Sequence, residues 1–394
     1  MRLVNHMINE LNLKNVINNL SEMIAIDSTT GKEQKLAEWI TDYLIDLGVR
    51  VKLQKVAGKR QNIYTICHFS DEGPFLTFNG HLDTIPVVDG WKTNPFQAEL
   101  HKDCLFGLGS WDMKSGLAAL LEVFRVLISN GEALKGTIAF SAVVDEEAYS
   151  LGAKALMQTE IANSDAIIIG EPWFGDKKRP IFLGSTGKLL YEVIAKGKAA
   201  HAFEPDKGIS AIDDMVRFLN KLEKLPFKNH PLFGKGNQCV LKVAGGFKQY
   251  SLLVPEECTA IINRLTVPGE SAEEVLDKIR KIALDNRLPS RFKIRRIDPS
   301  YEPYILSKGE PIFLKFINAY QRILHKLPNF AYHRMITDAN IYTGLARIPT
   351  LIFGPEGNSI HMANECVYLN SLEAVLKIYL LTALNFLSPD TEFE

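Results

Sequence analysis

The sequence has no paired cysteines. Five cysteines are scattered along 394 residues, at Cys67, Cys104, Cys239, Cys258 and Cys366, and no two of them form a CxxC pair. An odd number with this spacing argues against a disulfide framework and against a metal site built from thiolates. We therefore expect the protein to work in a reducing compartment, the cytoplasm.

Long apolar runs are also missing. Residues 1–20 interrupt their apolar positions with Asn, His, Glu and Lys, which is not the pattern of a secretory signal. No stretch reaches the ~18 apolar residues of a membrane span, and the most apolar candidate, residues 372–387, contains Glu373 and Lys377. That segment predicts an amphipathic helix, so neither export nor a membrane anchor is expected.

An excess of one charge is the third absence. Forty-five basic and 46 acidic residues leave a formal net charge of -1, so no overall field attracts nucleic acid or an anionic membrane. A small molecule is the expected partner. With 46% hydrophobic residues the chain can bury a core, and its length predicts two domains or one domain with a large insertion.

Strand and helix patterns alternate in both outer parts of the chain. The predicted strands are 74–79, 137–144, 165–169 and 349–353, and the predicted helices are two within 14–48 and one each at 114–130, 311–326 and 371–387. This alternation predicts an α/β domain in which a mainly parallel sheet is sandwiched by helices.

The pattern changes between about 182 and 297. Strand, helix, strand, strand, helix and strand follow one another there, which is the ferredoxin-like βαββαβ order. We therefore predict that residues 1–181 and 298–394 form one discontinuous domain and that residues 182–297 form a compact domain inserted into it.

Acids and histidines follow several of the predicted strands. They are His81 and Asp83, then Asp145, Glu146 and Glu147, then Glu171, and finally His361 after the late strand. Asp112 stands between a glycine-rich turn and a predicted helix. Because the carboxyl ends of parallel strands meet at one edge of a sheet, we expect these side chains to lie close together.

Two imidazoles and three carboxylates make a donor set of nitrogen and oxygen without sulfur. Such a set suits catalytic zinc, cobalt or manganese better than a structural zinc. Taken singly, a histidine at a strand end is more often structural, and an acid there more often caps a helix. Taken together, a buried cluster of carboxylates is costly without cations, so the sequence predicts a metal site.

Five ordered motifs resemble those of a known family. They are GHLDTIP at 80–86, GLGSWDMKSGLAA at 107–119, DEEAYSLGA at 145–153, GEP at 170–172 and the late His361. They are similar to the motifs of the dinuclear zinc amidohydrolases that include acetylornithine deacetylase, succinyl-diaminopimelate desuccinylase, carboxypeptidase G and aminoacylase. The resemblance extends over nearly the whole chain, and it implies a zinc exopeptidase-like catalytic domain with an inserted lid and dimerisation domain.

The resemblance also implies a role for each ligand. Asp112 would bridge two ions, one held by His81 and Glu171 and the other by Glu147 and His361. Glu146 would be the general base that takes a proton from the water bridging the ions, and the resulting hydroxide would attack an amide carbonyl. Asp83, two residues after His81, is predicted to orient that imidazole, with a simple turn acid as the alternative.

Three further residues match family positions inside the insertion. His201, in GKAAHAFEPDKGISAI at 197–212, would reach a partner subunit's site and stabilise an oxyanion; its local pattern alone indicates a loop histidine. Asn263 and Arg264 would bind substrate, since an arginine fork suits a carboxylate, although Arg264 has the alternative of pairing across the sheet. After the insertion, residues 337–340 resemble a family segment near the site, where Asp338 is expected at most to contact a metal ligand.

The sequence departs from the resemblance at two places. Relatives often carry an acid where Asn263 stands, and Lys-Gly or Arg-Gly near residues 185–187. The predicted function is metal-dependent hydrolysis of an N-acyl amino acid by a homodimer with two divalent ions, zinc first and cobalt or manganese otherwise. A di- or carboxypeptidase acting on short peptides is the alternative, and a non-catalytic binding protein is the third hypothesis.

Overall fold

The computed structural model describes residues 2–388, which form two compact units. Unit 1 contains residues 2–183, 306–331 and 337–388, and unit 2 contains Gly184–Ile305 and Tyr332–Ile336. The predicted insertion at 182–297 therefore starts two residues before unit 2 and ends eight residues before its first segment does. The lid and dimerisation roles of this insertion stay predictions.

Helices and strands alternate along most of the chain. The helices are α1 (Arg2–Glu10), α2 (Leu13–Ala25), α3 (Gln34–Asp46), α4 (Lys114–Ser129), α5 (Leu151–Leu156), α6 (Ala211–Leu222), α7 (Ala272–Ala283), α8 (Pro311–Leu324) and α9 (Leu369–Leu387). The strands between residues 52 and 235 are β1 (Lys52–Ala57), β2 (Arg60–His68), β3 (Phe75–His81), β4 (Glu99–His101), β5 (Cys104–Phe106), β6 (Thr137–Val143), β7 (Ala166–Ile169), β8 (Ile181–Ser185), β9 (Gly187–Lys196), β10 (Asn229–His230) and β11 (Gly234–Lys235). The later strands are β12 (Asn237–Gly245), β13 (Glu257–Thr266), β14 (Arg291–Tyr301), β15 (Tyr304–Ile305), β16 (Phe330–His333), β17 (Thr350–Ile352), β18 (Gly357–Asn358) and β19 (Cys366–Tyr368).

The main sheet of unit 1 has the order β1-β2-β6-β3-β7-β17. Strands β6, β3, β7 and β17 run parallel to one another, whereas β1 and β2 add an antiparallel edge. The predicted α/β class with a mainly parallel sheet is confirmed. Strands β1 and β2 were not predicted; β1, at the edge of the sheet, mixes exposed and half-buried positions and lacks the apolar run of a central strand.

Helix α4 packs closely against the sheet. Almost all of its residues are buried, and a Cβ added at Gly116 would lie 1.7 Å from the carbonyl oxygen of Gly170. Only glycine permits this approach, which brings the start of α4 to the end of β7. Helix α9 covers the same face, with Glu373 and Lys377 paired at 2.7 Å on its outer side. Within residues 2–388, no helix is long and apolar enough to cross a bilayer.

Unit 2 contains the predicted βαββαβ sequence of elements. Strand β9, helix α6, strands β12 and β13, helix α7 and strand β14 follow in that order, and the sheet order is β12-β13-β9-β14 with antiparallel pairs. Its apolar core lies between this sheet and the two helices. The unit extends past residue 297 because β14 continues beyond a bulge to Tyr301.

Candidate metal centre

Three neighbouring parallel strands end at the same level of the sheet. His81, the last residue of β3, pairs in register with Val143, the last residue of β6. Asn79 of β3 pairs with Ile169, the last residue of β7. The residues that follow these strands therefore leave the sheet at one edge, as expected for a site in an open α/β sheet.

The turn before α4 presents Asp112 to this edge, and a buried acid holds the turn. The Glu365 carboxylate accepts hydrogen bonds from the backbone N–H groups of Gly109, Trp111 and Asp112, each at 2.8 Å. Burial raises the pKa of Glu365 to about 7. Glu365 was not predicted from the sequence, since an acid four positions after His361 gives no local signal of what it binds.

The two oxygens of Asp112 face two different imidazoles. Its Oδ1 lies 3.2 Å from Nε2 of His81, and its Oδ2 lies 3.1 Å from Nε2 of His361. His361 Nε2 is also 3.0 Å from Glu147 Oε1, and His81 Nε2 is 4.0 Å from Glu171 Oε1. All five residues predicted as ligands thus lie together, with the Asp112 carboxylate between the two histidines.

Donor atoms of this cluster are close enough to share cations. Two groups have ligand atoms within 4.8 Å of one another, one made of His81, Asp112 and Glu147 and the other of His81, Glu146 and Glu171. Glu146 therefore lies among the candidate ligands themselves. The division of ligands between two ions, and the assignment of Glu146 as the free base, stay predictions.

The two ring nitrogens of His81 face different groups, and only Nε2 faces the other candidate ligands. Its Nδ1 donates to the backbone carbonyl oxygen of Asp83 at 2.9 Å, so Nε2 is the nitrogen that could bind a metal. The Asp83 carboxylate is further away, with its Oδ1 3.7 Å from the same nitrogen. The main chain of Asp83 is thus the nearer partner of the imidazole.

The carboxylate of Asp83 instead holds the loop that carries the two glutamates. Its two oxygens accept the backbone N–H groups of Glu146 and Glu147, both at 3.1 Å, and the Thr30 hydroxyl at 3.0 Å. Asp145, in the same loop, has φ +74° and pairs with Arg60 at 2.7 Å. Asp83 therefore holds the backbone of Glu146 and Glu147, and its predicted role in orienting His81 stays a prediction.

Carboxylates crowd one another in this cluster. Burial raises the pKa of Glu171 to about 8, and the nearby Asp112 contributes. Desolvation, with the Glu171 charge second, raises the pKa of Glu146 well above its usual value. Burial also raises the pKa of Asp338 to about 7, and Oδ1 of this residue has no hydrogen-bond partner among the described residues. Bound cations would offset this crowding, so the residues fit a divalent metal site.

The remaining predicted residues lie in unit 2. His201 is exposed, and its Nδ1 accepts the backbone N–H of Phe203 at 3.2 Å. Asn263 is half-buried on β13. Arg264 is 2% exposed, and its Nη2 donates to Glu270 Oε1 at 2.6 Å. The Arg264 guanidinium thus has a structural partner, and the roles of all three residues in substrate binding or catalysis stay predictions.

The amino-acid sequence matches a known protein family. The model of peptidase family M20/M25/M40 matches residues 77–385, a span that includes all five candidate ligands. The chain belongs to this family. Its members are dinuclear metal enzymes, and the M20 chain described above is accordingly a hydrolase of amide bonds.

Individual relatives are distant but match over nearly their whole length. Succinyl-diaminopimelate desuccinylase from Orientia tsutsugamushi (strain Boryong) is 24% identical over 397 residues, covering 96% of this chain and 98% of the relative. The crystal structure of aminopeptidase PepT from Bacillus cereus is similar with a TM-score of 0.71 and 21% identity, covering 95% of this chain and all of that one. A dinuclear metal-binding M20 peptidase from Bacillus subtilis is similar with a TM-score of 0.67 and 15% identity, covering 95% of this chain and 98% of that one.

Proposed function

We propose that this M20 chain removes the acyl group from a small N-acyl amino acid, with two divalent cations bound at the edge of the main sheet. The observation that carries the proposal is the Asp112 carboxylate, whose two oxygens each face a different imidazole at 3.2 and 3.1 Å. A carboxylate in this position is suited to bind two cations at once. The similarity to a desuccinylase over 96% of the chain supports a deacylase.

The residues present suggest how the ions would be held. His81 and Glu171 would bind one, Glu147 and His361 the other, and Asp112 both. Nitrogen and oxygen ligands without sulfur favour zinc, with cobalt or manganese as alternatives. When bound, the cations would polarise the amide carbonyl and lower the pKa of water at the site.

Glu146 is the proposed proton carrier. Asp83 fixes its backbone through the 3.1 Å hydrogen bond, so its side chain is held at the cluster. Glu146 would accept a proton from the attacking water and return it to the departing amine nitrogen.

A homodimer is part of the proposal. Strand β12 is an edge strand of the unit 2 sheet, and most of its residues are exposed, including Val240, Leu241 and Val243. Pairing with a second copy would cover this edge. His201 would then act in the partner's site. Mixing the variants His201→Ala and Glu146→Gln tests this. In a mixed dimer the site with an intact Glu146 would receive the intact His201 of the other chain, so we expect more activity than either variant has alone. No gain in activity is expected if each site is complete within one chain.

The proposed reaction is tested by metal analysis combined with hydrolysis assays. The protein would be loaded with zinc, cobalt or manganese, its bound metal counted, and its activity measured on N-succinyl and N-acetyl amino acids and on di- and tripeptides. We expect two ions per chain and chelator-sensitive hydrolysis of acyl amino acids. Fewer than one ion per chain together with no hydrolysis would contradict the proposal.

A peptidase is the second candidate function, because the chain has the fold of an aminopeptidase. The same assay decides between the two. Faster hydrolysis of peptides than of every acyl amino acid would make the peptidase the better description. The predicted cytoplasmic location is a separate prediction that these assays do not address.

A further inference from the structure

An arginine outside the predicted site lies against two tryptophans next to the metal centre. The guanidinium carbon of Arg179 is 4.8 Å from the ring centroid of Trp111 and 4.9 Å from that of Trp173. Trp111 immediately precedes Asp112, and Trp173 follows Glu171 by two residues. Arg179 therefore contacts two indoles that lie one and two residues from candidate metal ligands of the same unit.

Both indoles are held in place by unit 1. Nε1 of Trp111 donates to the carbonyl oxygen of Pro355 at 2.8 Å, and a Cβ added at Gly357 would lie 2.5 Å from the Trp111 ring. Trp173 packs on Phe182 with ring centroids 4.2 Å apart. Stacking on such rings favours a cation and restricts a guanidinium to few orientations.

The backbone of Arg179 is fixed as well. Its N–H donates to Asp176 Oδ1 at 2.6 Å, and its carbonyl oxygen accepts the N–H of Gly175 at 2.8 Å. The same Asp176 oxygen accepts the N–H of Lys178. Asp176 thus binds the main chain of this turn, and the side chain of Arg179 starts from a rigid position.

The charge of Arg179 has no direct partner in residues 2–388. Other partly buried arginines of unit 1 are bound by buried acids: Arg60 by Asp145 at 2.7 Å and Arg125 by Glu122 at 2.7 Å. For the half-buried Arg179, no such hydrogen bond or ion pair occurs among these described residues. Burial lowers the pKa of Arg179, and the attraction of Asp112, Asp176 and Glu171 opposes that effect.

A carboxylate is the group that this arrangement would bind. A guanidinium stacked on indoles keeps its N–H groups available in its own plane, where they match the two oxygens of a carboxylate. Cations bound by Asp112 and Glu171 would offset the charges that Arg179 now faces. Its charge would then be free to attract an anion placed beside the metal centre.

We propose that Arg179 binds a carboxylate of the substrate and makes the enzyme selective for anionic acyl amino acids. This inference rests on the proposed function and adds the residue that recognises the substrate's charge. The carboxylate comes either from the end of a dicarboxylic acyl chain or from the amino acid itself.

Kinetics on matched substrates test the proposal. Arg179→Met is compared with the wild type on an N-succinyl amino acid, the corresponding N-acetyl amino acid and the α-amides of both. A hydrogen bond between charged groups typically contributes enough for a roughly 10- to 150-fold change in binding. We expect KM to rise by at least about tenfold for substrates that carry the bound carboxylate, with a much smaller change for those that lack it.

The substrate series identifies which carboxylate is bound. A rise in KM that is confined to the two succinyl compounds assigns Arg179 to the carboxylate of the acyl chain. A rise in KM that is confined to the two free acids assigns it to the amino-acid carboxylate. Arg179→Lys keeps the charge without the planar fork and should recover only part of the affinity. Lys178→Met, at the exposed neighbouring position, is the matched control and should behave as the wild type.

A binding measurement separates this proposal from the proposed reaction. Succinate and an N-acetyl amino acid would be titrated into metal-loaded protein while fluorescence is followed, since Trp111 and Trp173 are two of the four tryptophans. At least one carboxylate should bind to the wild type about tenfold more tightly than to Arg179→Met. This result is available even if the wild type hydrolyses none of the tested amides, which would contradict the proposed function alone.

Two outcomes would overturn the role of Arg179. One is an equal change of KM and of carboxylate affinity for charged and amidated compounds. The other is a variant Arg179→Met that binds metal more tightly but shows unaltered substrate selectivity, with Arg179→Lys fully normal. In that case the arginine merely offsets the charge of Asp112 and Glu171.

Discussion

Buried charges are arranged differently in the two units. In unit 2, Arg264 pairs with Glu270 at 2.6 Å, and Asp214 pairs with Arg217 at 3.1 Å and accepts the N–H of Ser290 at 2.8 Å. Each of these buried acids has an arginine beside it. At the edge of the unit 1 sheet, in contrast, carboxylates gather around two histidines, and no lysine or arginine within residues 2–388 forms an ion pair with any of the predicted ligands.

The difference belongs to the site and not to unit 1 as a whole. Glu122 is fully buried in unit 1 and is bound by Arg125 at 2.7 Å, as an ordinary structural acid is. A buried pair compensates its own charge, whereas a cluster of acids needs cations from outside. Buried acids without basic partners therefore mark a functional site more reliably than burial or charge alone.

The largest expected effect is on catalysis at the carboxylate cluster of unit 1. Glu146→Gln removes the proposed proton carrier while keeping its size, and we expect kcat to fall by about 10²- to 10⁴-fold. Bound metal, measured by elemental analysis, should stay at the wild-type level. Glu132→Gln, at an exposed position of unit 1, serves as the control. Near-normal turnover by Glu146→Gln would remove this residue from the mechanism.

The second prediction concerns the ion pair between Arg264 and Glu270 in unit 2. Arg264→Met leaves Glu270 buried without its partner, and breaking such a pair typically costs about 3–5 kcal/mol of unfolding free energy. Urea unfolding would measure this loss, and the double variant Arg264→Met/Glu270→Met should recover much of it.

Substrate kinetics of the same variant test the competing assignment. If Arg264 is purely structural, the folded Arg264→Met protein keeps the wild-type KM for acyl amino acids. A large rise in KM without loss of stability would instead support the prediction that Arg264 binds substrate, and it would weaken the contrast between the two units.

The sequence predicted the fold class because the central strands are continuous apolar runs. Strand β6 is buried along its whole length, and strands of this kind, alternating with helices, have few other arrangements. The antiparallel strands β1 and β2 were missed, and of these β1 is a partly polar edge strand. The insertion was predicted to end at residue 297, where the pairing of β14 with β9 has a bulge before Tyr301.

The candidate ligands were predictable because their positions at strand ends follow from the sheet. Contacts that depend on distant parts of the chain were not. Glu365 reaches the turn of Asp112 across more than 250 residues, and the Asp83 carboxylate binds the loop after β6. Arg179 carries no motif, and only the structure shows that its side chain lies against Trp111 and Trp173.

A smaller effect is expected from the acid that holds the Asp112 turn. Glu365→Gln keeps the side-chain volume but turns one accepting oxygen into a donor, so it faces the backbone N–H groups of the turn less favourably. We expect metal affinity to fall by about 10- to 100-fold, the usual range for groups that support a ligand. Metal titration would measure this change, with Glu373→Gln on the outer side of α9 as the control. Unchanged metal affinity would mean that the turn keeps its shape without Glu365.

The smallest effect on the folded chain is expected at the exposed edge of unit 2. Leu241 is 58% exposed on β12, so Leu241→Lys should alter the unfolding free energy by no more than about 0.5 kcal/mol. A lysine on an edge strand nevertheless opposes pairing with a second chain, so sedimentation should show the mass falling from that of a dimer to that of a monomer. Ile45→Lys, at a 55% exposed position on α3 of unit 1, should leave the mass unchanged. If Leu241→Lys keeps the mass of a dimer, the dimer contact lies away from β12, and the exposed apolar side chains of this strand do not mark it.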